Sequence, residues 1–185
     1  HPIIVENLLG IKRQIGVHQK AKKPLLFNDI KAIIKQIDQS SENSKKKLRN
    51  KALILVGFAG GFRRSELVSI TKGDVEFVKE GVKIFVKKSK SDQSGEGMTK
   101  AIPSFKYTDY CPVENLRLWM FENRNDRIFA ISDKNVALII KKYALQAGFD
   151  DKKYAGHSLR SGFATTTAEF GASERNIMAM TGHKS

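Results

Sequence analysis

Acidic residues and cysteine are what this chain is short of. Against 33 Lys and Arg it carries 19 Asp and Glu, a net charge of +14. A surface so poor in carboxylates points to a polyanionic partner. Cys111 is the one cysteine, which excludes an internal disulfide and a multi-cysteine zinc site and fits a reducing compartment. No apolar run approaches the roughly 20 residues of a membrane span, so nucleic acid is the leading reading of the partner and no membrane is expected. Internal repeats and low-complexity segments are also missing. There is no Gly-rich Walker-type loop ahead of a Lys-Ser/Thr and no His-Glu-x-x-His pair, so nucleotide hydrolysis is not indicated and neither a metal nor a cofactor is expected. No signal peptide is visible, and the opening "HPIIVENLLG", which lacks Met, reads as part of a longer protein.

What is present suffices for one domain: 185 residues, 41% of them hydrophobic. Residues 3–15 hold a weak amphipathic pattern, and the basic, polar "GVHQKAKKPLL" reads as a linker, so residues 1–22 are expected to end an inter-domain linker and residues 23–185 to form the folded unit. "NDIKAIIKQI" predicts a helix capped at Asn28, with Ile30, Ile33, Ile34 and Ile37 as its core stripe. "SSENSKKK" breaks the pattern. "LRNKALILVGFAGGF" predicts a deeply buried helix closing at Gly60 and Gly61, and "RRSELVSI" a short helix directly after it. The period then changes. "VEFVKEGVKIFVKKSKSDQSGEGMTKAIP" predicts three antiparallel strands, with a turn at Lys79–Gly81 and a loose polar stretch at Ser91–Gly97. Helices follow at Pro112–Asn123, Asp133–Gly148, His157–Gly171 and Ser173–Thr181. The fold class is α+β and mostly α-helical, a single domain with a small three-stranded antiparallel sheet.

Two stretches carry candidate chemistry. In "GHSLRSGFATTTAEFG", His157 and Arg160 lie one turn apart near a helix start, beside the free backbone N–H groups of its first turn. Such a surface suits a phosphate: arginine offers a planar fork to two oxygens, the helix terminus adds partial positive charge, and histidine moves a proton near neutral pH. In "GGFRRSELVSI", Arg63 follows two glycines at the end of a buried helix, where a guanidinium needs a partner, and Glu66 one turn on can hold it.

"GFRRSEL" resembles the Gly-Leu-Arg-x-Ser-Glu-Leu box of the tyrosine recombinases, the phage integrase family. "HSLR" resembles their His-x-x-Arg box, and the "TGH" close to the end of the chain their Gly-His box. Three short motifs in order, with a hairpin lysine between the first two, are far more specific than any one of them, and the likeness runs from "QKAKKPLLFNDI" to the end of the chain.

The resemblance implies the tyrosine recombinase catalytic-domain fold and a set of roles. Arg63 and Arg160 would clamp the non-bridging oxygens of the scissile phosphate, His157 would assist proton transfer from the attacking hydroxyl, and His183 would hydrogen-bond the phosphate. Glu66 would support the site, and Lys90, at the end of the second strand, would protonate the leaving 5′-oxygen. Arg64, Lys87 and Lys88 are assigned to DNA contact. Charge developing on phosphate oxygens is stabilised by two arginines without a metal, and the energy of the broken bond is kept in a protein–DNA linkage. The implied function is site-specific recombination or integration by cleaving and rejoining double-stranded DNA through a 3′-phosphotyrosine. Its setting would be a homotetramer on DNA in the cytoplasm with the nucleoid, the 185-residue piece being monomeric by itself. The family places its nucleophilic tyrosine shortly past the Gly-His box, beyond Ser185, so the nucleophile is expected to be absent from this chain and the piece inactive. Tyr107, Tyr110, Tyr143 and Tyr154 remain. Tyr154 lies three residues before His157, where the family motif has no nucleophile. The alternative is a non-catalytic DNA-binding module of the same fold, acting in regulation or excision; the joint presence of Arg63, Lys90, His157, Arg160 and His183 favours the enzyme.

Overall fold

The computed structural model of the chain describes residues 22–87, 96–106 and 108–182. The amphipathic pattern at 3–15 and most of the basic linker lie outside these residues. An extended stretch, 22–26, leads into α1 (Phe27–Gln39), whose stripe of Ile30, Ile33, Ile34 and Ile37 is buried as the spacing predicts. Burying each isoleucine contributes about 1.5–3 kcal/mol. The cap lies two residues before the expected Asn28: Leu26 is the boundary residue, and its N–H donates to the Asp29 carboxylate at 2.9 Å.

The second helix, α2 (Ser44–Ala59), also starts earlier than expected. Its first turn is the polar run that reads as a break in the sequence. Asn43 accepts the N–H of Lys46 at 2.8 Å, which satisfies a helix-start donor and lets exposed polar residues form the turn. From Ala52 to Ala59 every residue of α2 is buried. A helix apolar on all sides needs cover on all sides. Here α1, α4 (Pro112–Glu122) and α6 (His157–Glu169) pack against it.

The short α3 (Arg64–Ser69) leads to the sheet, β1 (Val75–Val78), β2 (Gly81–Val86) and β3 (Met98–Pro103), antiparallel in the order β1-β2-β3. Val82 faces Ile102 across β2 and β3, Ile84 faces Lys100, and Val86 faces Met98. Val82, Ile84 and Val86 are buried and alternate with exposed Lys83 and Phe85, the period of a half-buried sheet. The helices α5 (Asp133–Gln146), α6 and α7 (Glu174–Thr181) follow among the described residues, so the expected class, helical with a three-stranded antiparallel sheet, is the observed one.

Candidate active site

The site is built on the end of α2. The N–H of Phe62 reaches back to the carbonyl of Gly57 at 3.1 Å and that of Gly61 to Phe58 at 3.0 Å, the paired bonds that close a helix on a left-handed residue. Gly61 is that residue, with φ +55°, and a Cβ there would lie 2.8 Å from the Phe163 ring. The reversal delivers Arg63 to the start of α3. Its N–H donates to Glu66 Oε2 at 2.9 Å and its Nη1 to Glu66 Oε1 at 2.7 Å. Glu66 is buried while the Arg63 side chain stays one-fifth exposed, so a hidden carboxylate aims a guanidinium that still reaches solvent.

Arg160 comes from α6 and meets the same turn. It is 2% exposed, and its Nη1 donates to the Gly61 carbonyl at 2.9 Å, joining segments 99 residues apart. Burial pushes its pKa down to about 10, with Arg63 adding to the shift and Glu66 opposing it, so it remains a cation at neutral pH. His157, the first residue of α6, is exposed where Arg160 is buried; the two share a face of the helix at different depths. Partial burial first, then the Arg160, Arg63 and Arg64 guanidiniums, push the His157 pKa below its usual value, so the ring is neutral at pH 7.

An open groove of about 460 Å³ lies here, lined by Arg63, Arg64, Ser65, Asp133, Ala155, Gly156 and His157. Arg64 packs across Gly156 so closely that a Cβ there would fall 1.9 Å from its Cδ, and its guanidinium stands 4.0 Å from Asp133. The α6 wall is itself held by the incoming chain: the N–H groups of Lys23 and Leu25 donate to the carbonyls of Lys153 (2.8 Å) and Ser158 (3.0 Å). Gly162 makes room for the Leu25 carbonyl, which a Cβ would meet at 1.9 Å.

The structure thus brings Arg63, Arg64, Glu66, His157 and Arg160 together. Lys88, Lys90, His183 and Tyr107 lie outside the described residues. Lys87 is exposed, and its ammonium reaches the buried Asp74 carboxylate at 2.8 Å. Burial works against that carboxylate, but hydrogen bonds from Lys87 and Thr71 outweigh it and hold the Asp74 pKa below the ordinary range. Tyr143 and Tyr154 belong to the core, Tyr154 with its ring 5.7 Å from Phe149 and its pKa raised by burial. Among the described residues no group of three His, Cys, Asp or Glu gathers as a metal site would, and no helix is long and apolar enough to cross a membrane.

One residue escaped sequence reasoning. Lys100, on the inward face of β3, is fully buried, and its Nζ donates to the carbonyls of Gly60 (2.9 Å), Gly61 (3.4 Å) and Met180. It also lies 4.8 Å above the Phe62 ring. Burial pushes its pKa down to about 8; Glu66 opposes the shift, and Arg160 and Arg63 add to it. The signal was in "MTKAIP": period two puts Lys100 on the same face as Met98 and Ile102.

Two guanidiniums are thus fixed around one turn, with a neutral imidazole beside them at the groove, a cationic arrangement whose chemistry suits an oxyanion. Residues 23–185 match the phage integrase family, and the chain belongs to it. It is 42% identical over 190 residues to an integrase/recombinase xerD homolog from Selenomonas ruminantium, covering 95% of this chain and 55% of that protein. To the tyrosine recombinase XerC of Syntrophus aciditrophicus it is 30% identical over 151 residues, covering 75% of this chain and 46% of the relative. The chain spans about half the length of the curated relatives it matches. Among solved structures, the XerH site-specific recombinase bound to palindromic difH substrate in a post-cleavage complex superposes with a TM-score of 0.74 at 21% identity, over 92% of this chain and 50% of that one. A lambda integrase tetramer bound to a Holliday junction gives 0.62 at 20%, over 90% and 48%. The fold is that of tyrosine recombinase catalytic domains.

Proposed function

We propose that the chain is the catalytic domain of a site-specific DNA recombinase or integrase that cleaves and rejoins double-stranded DNA through a 3′-phosphotyrosine. The observation that carries this reading is the convergence of Arg63 and Arg160 on the turn at Gly61, one aimed by Glu66 and the other anchored to the Gly61 carbonyl. The attacking hydroxyl belongs to a tyrosine outside the described residues, C-terminal to His183. It forms the bond to phosphorus as the bond to the 5′-oxygen breaks. Negative charge builds on the non-bridging oxygens, where the two guanidiniums stabilise it more than they stabilise the ground state. His157, neutral at pH 7, takes the proton of the tyrosine, Lys90 protonates the leaving 5′-oxygen, and His183 hydrogen-bonds the phosphate. Attack by a 5′-hydroxyl on the phosphotyrosine reverses the steps and reseals a strand, with no energy drawn from a nucleotide. Arg64, Lys87 and Lys88 add contacts to the DNA backbone. Four protomers assemble on DNA, at the nucleoid, and no metal or cofactor takes part.

The test is a nicked suicide substrate, which traps the covalent protein–DNA adduct. The whole protein is expected to form the adduct, and Arg160→Ala to lower its rate by about 10²–10³-fold with DNA affinity little changed. A whole protein that binds DNA and never forms an adduct would favour the non-catalytic module. Equal losses of binding and cleavage would make Arg160 an ordinary phosphate anchor.

A further inference from the structure

We propose that Lys100 is a positioning residue for this reaction: its ammonium ties the C-terminal turn of α2 to the C-terminal turn of α7 and so fixes where the arginine pair stands relative to α7. The inference rests on the recombinase reading above. Its basis is the number and kind of partners. An ammonium has three N–H donors, and Lys100 directs its Nζ at three carbonyls, Gly60, Gly61 and Met180. Gly60 and Gly61 close α2, and Met180 lies in the last turn of α7. These are orphan carbonyls at the negative ends of two helix dipoles, the place where a cation is held best. The Gly61 carbonyl is shared, since Arg160 Nη1 also donates to it. Lys100 is therefore one carbonyl away from an arginine of the site and, through Met180, three residues of sequence from His183.

A purely stabilising role does not explain a buried lysine. At a register position between Met98 and Ile102, opposite Ile84, an apolar side chain would avoid the desolvation cost of the charge. Nor is Lys100 placed as a proton donor to DNA, because all three of its N–H donors are directed at carbonyls.

The clamp depends on protonation. The charged groups acting on Lys100 are Glu66 of α3, Arg63 ahead of it and Arg160 of α6, while the faces offered by the α2 turn, by α7 and by Phe62 are carbonyls and a ring. Burial dominates and brings the pKa to about 8. The three-way clamp is complete at pH 7 and loses a donor as pH rises through 8. Stability moves the other way. A lysine in the unfolded chain keeps its proton to about 10.4, so between about 8 and that value the unfolded state binds more protons and folding becomes more favourable with pH.

The experiment measures single-turnover cleavage, DNA affinity and melting temperature of the whole protein from pH 6.5 to 9.5, for wild type and Lys100→Met. Wild-type cleavage is expected to fall with a midpoint near 8 without loss of melting temperature. Lys100→Met is expected to cleave at least about tenfold more slowly at pH 7 than its folded fraction accounts for, with Kd within about twofold, and to lose the fall near pH 8. A substrate whose 5′-bridging oxygen is replaced by sulfur, which leaves without a proton, should not rescue it. Rescue by that substrate makes Lys100 an acid and overturns positioning, as does an unchanged rate in Lys100→Met. If the variant does not fold, a wild-type rate that stays flat to pH 9 overturns the proposal by itself. A wild type that never forms an adduct at any pH brings down the recombinase reading, whereas a cleaving wild type matched by Lys100→Met removes only the role of Lys100.

Discussion

A guanidinium left to itself wanders over many rotamers, and at Arg63 the restraint is Glu66, which takes both the side-chain Nη1 and the backbone N–H of the same residue. Hydrogen bonds to charged groups contribute about 1.5–3 kcal/mol. Glu66→Gln keeps the shape and removes the charge. It is expected to slow single-turnover cleavage by about 10- to 100-fold while DNA affinity changes little; cleavage at the wild-type rate would show that Arg63 is aimed by something else. Arg63, Glu66, His157 and Arg160 were legible as candidates because their types and spacings suit a phosphate, and the structure brings them together. Lys100 was not. A lysine in a strand reads as a solvent-side residue, although period two sets it on the face of Met98 and Ile102, and its pairing with Ile84 shows that this face is the buried one.

The closure of α2 is the element on which the site turns, since the same reversal sets the direction of Arg63 and presents the carbonyl that receives Arg160. Gly61→Ala puts a Cβ into left-handed backbone, costing roughly 1–2 kcal/mol, and adds the contact with Phe163. The expected result is a lower melting temperature together with a cleavage defect larger than the fraction unfolded accounts for; a variant as stable and as active as wild type would mean the turn has another conformation open to it. This helix end was legible from its glycine pair. The helix start was not, because "SSENSKKK" looks like a linker by polarity alone, and the cap supplied by Asn43 to Lys46 is a local bond that periodicity does not register.

At the scale of the whole molecule the dominant property is the excess of 14 positive charges. If they face duplex DNA, the whole protein should lose affinity linearly in log–log against salt, by about 10³–10⁵-fold between 50 and 200 mM for six to ten phosphate contacts. Filter binding or anisotropy measures the slope, and a Kd indifferent to salt would remove the electrostatic basis of the DNA assignment. Charge points to a polyanion but carries no address, so no DNA sequence is legible from it.

The stretch at 22–26 gives the molecule a leash. Two backbone hydrogen bonds run from its N–H groups to the carbonyls of Lys153, just ahead of α6, and of Ser158 in its first turn, and the notch at Gly162 leaves the Leu25 carbonyl no slack in which to slide. Tension on any chain joined ahead of Lys22 therefore pulls on the foot of the helix that holds His157 and Arg160.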